Sequence, residues 1–327
     1  MSKIQAVFRR ADYYAFERLA FAPSELSQAG PWDVFWSSYD ETQRVREPFD
    51  QVRADHKQWL VHTEYGFRTE DLPGNAILLS DSFDPPDLLE FVRSRQTTLV
   101  GKSICVDCTG FVRPHLLVLL RALRDSGVKK IDVLYSDPVR YREDEDTAFV
   151  IGPVERVEQI PGYEGIHRGA GIDNEVLIVG AGYDYEQIAR ACEAKPSSKK
   201  YLLTGLPSLQ PHMYQESVLR IHEAHESIGH IPREQRLYAA ANHPFAVAQV
   251  LHDVVLGEAR EAAAQGRPTQ NIYLCPLGPK PHVLGFALYY LRELGGKAAS
   301  IIYPFASRYE RLTAQGLLRT WQYRVEL

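Results

Sequence analysis

The sequence predicts an α/β protein made of two similar, Rossmann-like parallel-sheet halves that arose by internal duplication. Three observations carry this. Aliphatic and β-branched runs such as ICVDC (104–108), EVLIVG (175–180) and KKYLLTG (199–205) alternate with amphipathic helical segments, the pattern of parallel βαβ units. A shift of 167 positions lays Arg113-Pro114-His115 on Lys280-Pro281-His282 and Cys108 on Cys275. Upstream, a shift of 144 lays Tyr39-Asp40 on Tyr183-Asp184. Ordered matches of this kind mark a repeat.

Each half reads in the same order. WDVFWSSYDETQRV (32–45) runs strand, turn, helix and faces EVLIVGAGYDYEQIA (175–189). A second strand-like run follows in each, KQWLVHTEYGF (57–67) and KKYLLTGLP (199–207). The change of shift from 144 to 167 places an insertion of about 23 residues between Ser208 and Asn271, in the stretch holding HEAHESIGH and FAVAQVLHDVVLGEAREAAAQ. HPFAVAQVLHDVV has apolar residues spaced for one helical face, so the insertion is expected to be helical and to serve as a lid or docking surface. ICVDC then ends at Thr109-Gly110, and HLLVLLRALRDSG continues as a helix closed by Gly127. LRALRDSGVKKIDVLYSDPVRY (120–141) faces LRELGGKAASIIYPFASRY (291–309), with Tyr135, Arg140 and Tyr141 on Tyr303, Arg308 and Tyr309. Thr147-Ala148 falls near Thr313-Ala314, and VERVEQI (154–160) resembles WQYRVEL (321–327), a polar closing strand expected at a sheet edge. The halves are therefore placed at 1–165 and 166–327, the second with its insertion at about 208–270.

Composition narrows the class. The 327 residues are 45% hydrophobic and 24% charged, enough to build one large or two medium cores. Apolar runs such as LLVLL (116–120) are far shorter than the ~18 residues of a membrane span. The N-terminus has no apolar stretch of the secretory type, so a cytoplasmic location is expected. A formal net charge of −5 argues against broad nucleic-acid binding. Any anion site is local.

Four scattered cysteines form no disulfide framework. Cys105 and Cys108 make a CxxC, but on a strand residues three apart face opposite sides, and both are expected to be structural. His222, His225 and His230 sit in RIHEAHESIGH, whose order H-E-A-H lacks the H-E-x-x-H spacing of zinc proteases; a solvated helix is expected there. EDED (143–146) is expected to be a solvated charge run. No nucleophile elbow, P-loop or paired carboxylates stand out, and no cofactor is implied.

The two basic-Pro-His segments carry the functional argument. Such sheets bind ligands at the carboxyl ends of their strands, and proline suits the first helical turn. A cation there opposes the helix dipole unless an anion arrives to satisfy both. Arg113 and Lys280 are therefore candidate phosphate ligands, with the histidines His115 and His282 beside them; packing of these histidines against a neighbouring loop is the alternative.

VDCTGFVRPHLLVLL resembles the motif after the fourth strand of CARF domains, sensors of cyclic oligoadenylates. Asp107, Thr109, Gly110 and Arg113 match its acidic or amide, threonine, glycine and basic positions, while Phe111 replaces its second glycine. CPLGPKPHVLGFALYYL keeps only Gly278 and Lys280. Two CARF-like units in one chain resemble the SAVED sensors of bacterial antiviral defence. That resemblance implies a pseudo-two-fold groove for a cyclic nucleotide second messenger. Ser37, Ser38 and Tyr39 of the first half, and Gly180, Gly182 and Tyr183 of the second, are expected to line it beside Thr109 and Gly110. It further implies an effector or complex subunits acting in trans. His115 or His282 would assist if the ligand is cleaved, although the chain is expected to be a sensor rather than an enzyme. Two other classes stay open. IVGAGYDYEQIA begins like a dinucleotide fingerprint, but Tyr185 stands at its third glycine position. A ligand-free scaffold subunit fits the same fold, which alone does not specify function.

Overall fold

The computed structural model describes residues 12–13, 16–141, 150–167 and 174–327. The acidic run 143–146 and the Thr147-Ala148 match lie outside the described residues.

The chain forms two compact units. The first comprises Glu17–Glu155 and Phe305–Leu327. Its elements are β1 (Arg18–Phe21), β2 (Trp32–Ser38), α1 (Gln43–Gln51), β3 (Ala54–His62), β4 (Ala76–Leu79), α2 (Pro86–Arg93), α3 (Gln96–Leu99), β5 (Ile104–Asp107), α4 (Arg113–Asp125) and β6 (Lys130–Asp137). Next come two short strands, β7 (Arg140–Tyr141) and β8 (Val150–Ile151). The second unit holds Arg156–Pro304. It contains β9 (Arg156–Gln159), β10 (Glu175–Gly180), α5 (Tyr185–Glu193), β11 (Lys199–Gly205), α6 (Met213–Glu223), α7 (His225–Ile228), β12 (Arg236–Ala239), α8 (Pro244–Ala264), β13 (Asn271–Pro276), α9 (Lys280–Tyr289) and β14 (Ala299–Phe305). The chain then contributes β15 (Arg308–Tyr309), β16 (Ala314–Gln315) and β17 (Arg319–Glu326) to the first unit.

The first sheet has seven strands in the order β1-β17-β6-β5-β2-β3-β4, and the second has six in the order β12-β11-β10-β13-β14-β9. Read from the other edge, the second order is β9-β14-β13-β10-β11-β12. It matches β17-β6-β5-β2-β3-β4 position for position, so two α/β halves share one plan. The inner strands are parallel. Helices cover such strands on both faces, which is why β5 and β13 are buried along their whole length. Gly127, at φ +89°, takes the left-handed conformation that ends α4.

Between residues 208 and 270 the chain forms α6, α7, β12 and α8. The link from β3 to β4 contains only single 3₁₀ turns, whereas the link from β11 to β12 holds α6 and α7. The 21-residue α8 stands where the first half has α2 and α3. Among the described residues no helix is long and apolar enough to cross a membrane.

The units cut across the contiguous division at 165/166. β17, the end of the second half, runs antiparallel to β6 from Arg319↔Asp137 to Glu326↔Lys130. β9, the end of the first half, adds to β14 in the second sheet. The short strands exchange in the same way: β7 pairs with β16 and β8 with β15. The polar closing strand is at the edge in the second sheet, but in the first β1 pairs along β17 and covers it. That is why β17 buries Thr320, Tyr323 and Val325.

This exchange yields a prediction. Tyr323→Ala removes a fully buried aromatic ring from β17 and should cost about 3–5 kcal/mol. In hydrogen-exchange mass spectrometry, protection should fall in β1, β5 and β6 while β10 and β13 keep theirs. Loss confined to β13 and β14 would show that the strand belongs to the second unit instead.

Candidate functional site at the carboxyl ends of the sheets

In the first unit the loops after β2 and β5 meet backbone to backbone. A Cβ on Gly110 would lie 2.0 Å from the Ser38 carbonyl oxygen, so only glycine allows this approach. The Gly110 carbonyl accepts hydrogen bonds from Ser38 Oγ (3.0 Å) and Tyr65 Oη (2.7 Å). Beneath it Asp107 organises the strand ends. Its carboxylate accepts from Ser37 Oγ at 3.0 Å, Thr109 Oγ1 at 2.6 Å and the Thr109 amide at 3.0 Å. Thr109 Oγ1 in turn accepts from the Ser136 amide at 3.0 Å. Ser37, Ser38, Asp107 and Thr109 are all buried. The structure thus brings the predicted Ser37, Ser38, Thr109 and Gly110 together as an internal polar network. Tyr39 packs edge-on against Trp59 beside Phe67 and covers the core.

The second unit repeats the contact with the roles reversed. Here the glycine is Gly182, whose added Cβ would lie 2.2 Å from the Leu277 carbonyl oxygen. Gly180 makes room for the Phe286 ring, 2.9 Å from where its Cβ would be. Tyr183 Oη donates to the Met213 carbonyl, tying this loop to α6. Asp184 caps α5 by accepting from the Gln187 amide, and the matching Asp40 accepts from the Thr42 amide and hydroxyl. Both aspartates of the repeated Tyr-Asp pair thus fasten the start of the helix after the first strand.

Arg113 and Lys280 are the first residues of α4 and α9, and no side chain caps either helix. Both are partly exposed. The histidines two residues on are fully buried and make equivalent bonds. His115 Nε2 lies 3.0 Å from the Ser80 carbonyl, just past β4, and His282 Nε2 lies 3.2 Å from the Ala240 carbonyl, just past β12. Each histidine pins the loop after the outermost parallel strand. Burial lowers both from the usual imidazole range, His282 to about 4. Gly278 leaves space for the His282 ring, 3.2 Å from where its Cβ would be.

One group passed unnoticed in the sequence. His62, at the end of β3, and Glu64 lie against His115, and among the described residues these three alone hold donor atoms close enough for one ion, all within 4.8 Å of one another. The signal was present as His62-Thr63-Glu64 after a parallel strand. The other histidines behave differently. His222, His225 and His230 are exposed and edge a cavity of about 310 Å³ between α6, α7 and the β11–β12 edge, alongside Tyr214, Arg236 and Tyr238. His225 Nδ1 faces the His222 carbonyl at 2.8 Å. Cys105 and Cys108 are buried and form no disulfide, and burial pushes the Cys105 thiol well up.

Comparison with known proteins gives no matching family model and no matching curated sequence. The fold and these residues are therefore the basis for any functional reading.

Asp107 supplies a pH prediction. Burial, opposed by the hydrogen bonds from Thr109 and Ser37, pushes its carboxyl up from 3.8 to about 6. The folded protein holds this proton more tightly than the unfolded chain, so the contribution to stability is full below about pH 4 and is lost as pH rises through about 6. Asp107→Asn keeps an acceptor for Thr109 and cannot ionise. The stability of the variant relative to the parent should rise between pH 4 and 6.5, by on the order of 1–3 kcal/mol. Paired thermal melts across that range test it, and a flat difference would mean that Asp107 is ionised without penalty.

Proposed function

We propose that the protein binds a phosphate-bearing ligand, a cyclic nucleotide being the class favoured, and acts as the sensor subunit of a bacterial defence or signalling system. One observation carries the reading. Arg113 and Lys280 begin topologically equivalent helices at the carboxyl ends of equivalent parallel strands, where backbone amides and the dipole attract anions. The likeness of Asp107, Thr109, Gly110 and Arg113 to the CARF motif, and of the tandem plan to SAVED proteins, supports the nucleotide class. Effector subunits in trans are the partners this role requires.

A second reading, a ligand-free scaffold subunit, draws on the buried network. Ser37, Ser38 and Thr109 spend their hydroxyls on Asp107, Gly110 and the Ser136 amide, so binding through them needs these loops to open. Under the sensor reading, the ligand therefore meets Arg113 and Lys280 first.

Calorimetry with linear and cyclic oligonucleotides separates the two. Arg113→Glu and Lys280→Glu should each weaken binding about ten- to a hundredfold, as expected for charge-assisted hydrogen bonds of about 1.5–3 kcal/mol, and the double variant should lose more. Melting should barely change, because the dipole favours a carboxylate in the first helical turn. If the parent binds nothing in the panel, the scaffold reading replaces the sensor; if both variants melt far below the parent, the two cations serve the fold.

A further inference from the structure

We propose that His62, Glu64 and His115 form a binding site for a divalent first-row transition metal ion, zinc by ligand type, inside the first unit. The tautomer of His115 is fixed by its surroundings. Its Nε2 lies 3.0 Å from the Ser80 carbonyl, and a carbonyl only accepts, so Nε2 carries the proton. In a neutral ring Nδ1 then presents a lone pair. That nitrogen is fully buried, has no hydrogen-bond partner, and faces Glu64 Oε1 at 3.8 Å.

Two acceptors in a buried space repel unless something positive lies between them. A proton on Nδ1 would answer, but 3.8 Å is beyond a hydrogen bond. A metal ion answers better. Two donors each ~2.1 Å from one tetrahedral ion lie about 3.4 Å apart, a few tenths of an ångström less than the present separation. The His62 ring, centred 4.4 Å from that of His115, supplies the third donor. All three donors fall within 4.8 Å, so coordination needs a contraction of up to about 1.4 Å at the widest pair. Two imidazoles and a carboxylate are a zinc-type set.

The surroundings are those of a metal site. His115 Nε2–H donates to a backbone carbonyl, the bond that orients a ligating imidazole and raises its basicity. Glu64 Oε1 is held by the Ser82 amide at 2.7 Å. Its ion-pair partner among the described residues is His115, so a buried carboxylate charge is left for a cation to neutralise. The second unit acts as an internal control. His282 has the same pin and a buried Nδ1 without a hydrogen-bond partner, but at the end of β11 it faces Gly205, where an added Cβ would lie 3.8 Å from its Cε1. An idle Nδ1 is thus tolerated by itself; the carboxylate and second imidazole set the first unit apart.

The test uses the full chain, stripped with chelator and titrated with Zn²⁺ and Co²⁺. One equivalent of Co²⁺ should bind with visible d–d absorption of a low-coordinate N/O site, and Zn²⁺ should displace it and raise the Tm. Glu64→Gln keeps the shape and an acceptor for the Ser82 amide, and should lose at least tenfold in affinity, since even partners behind a ligand contribute 10- to 100-fold. His222→Ala with His225→Ala should leave stoichiometry unchanged. A measurement on the parent covers the case in which the Glu64 variant misfolds: in ¹⁵N-histidine NMR spectra, Zn²⁺ should shift the Nδ1 resonance of a buried histidine protonated at Nε2. Absence of uptake at millimolar Co²⁺, or uptake lost in the exposed-histidine variant and kept in Glu64→Gln, overturns the proposal. So does an unshifted buried Nδ1.

Discussion

Each sheet is completed by a strand from the other half of the sequence, and this exchange governs how the rest of the molecule is assembled. β6 needs β17 to bury its outer side, yet Asp137 and its partner Arg319 stand far apart in sequence. Arg156–Pro304, most of the second unit, lies in that interval. Closing so long a loop costs entropy that the contacts repay only late. The buried Ser136–Thr320 hydroxyl pair (2.9 Å) and the Trp321 Nε1–Asp137 bond (2.8 Å) lie on this seam and fix its register. A chain that ended at the contiguous boundary would leave β6 with an open edge, a template for unwanted pairing.

The repeated histidines explain how the carboxyl ends stay ordered. The outermost parallel strands, β4 and β12, have four residues each and are only half covered. The His115–Ser80 and His282–Ala240 bonds tie the loops that leave them to the first turns of α4 and α9. Proline fixes each histidine's helix at the second position and lets the ring enter the core directly. A residue pattern read as a ligand site thereby acquires a structural duty, and the neighbouring cation is what remains available to solvent.

How much of this was legible in the sequence depended on what each feature leaves in the residue order. The duplication was visible because equivalent contacts preserve residue types at fixed offsets: an aspartate fastening a helix start, a histidine pinning a loop, an Arg-Tyr pair in a short exchanged strand. The change of that offset is what marked an insertion in the second half. Strands β1, β4 and β12 were missed, since four-residue edge strands such as RLAF, AILL and RLYA carry no clear alternation. The exchange left no trace, because pairing partners of a polar strand are chosen by the chain's path and not by local pattern. The cluster at His62 was hidden for a related reason. Its members come from the end of β3, the turn just after it and the third residue of α4, and only the parallel sheet brings them together.

The two units have also diverged in chemistry. Where the first has Asp107 and Thr109 at the end of β5, the 167-residue shift puts Leu274 and Pro276 in the second. The space beside the first strand is filled there by Phe286 lying over Gly180. One copy keeps a buried, hydrogen-bonded carboxylate and a His-Glu-His group; the other replaces polar contacts with apolar packing. Ionised groups in a core are expensive unless paired, so a copy that only had to hold its shape would drift toward the second pattern. Asp107 and Glu64 are the buried carboxylates that set the first unit apart; the second unit has the matching helix start and Lys280 but not this polar interior.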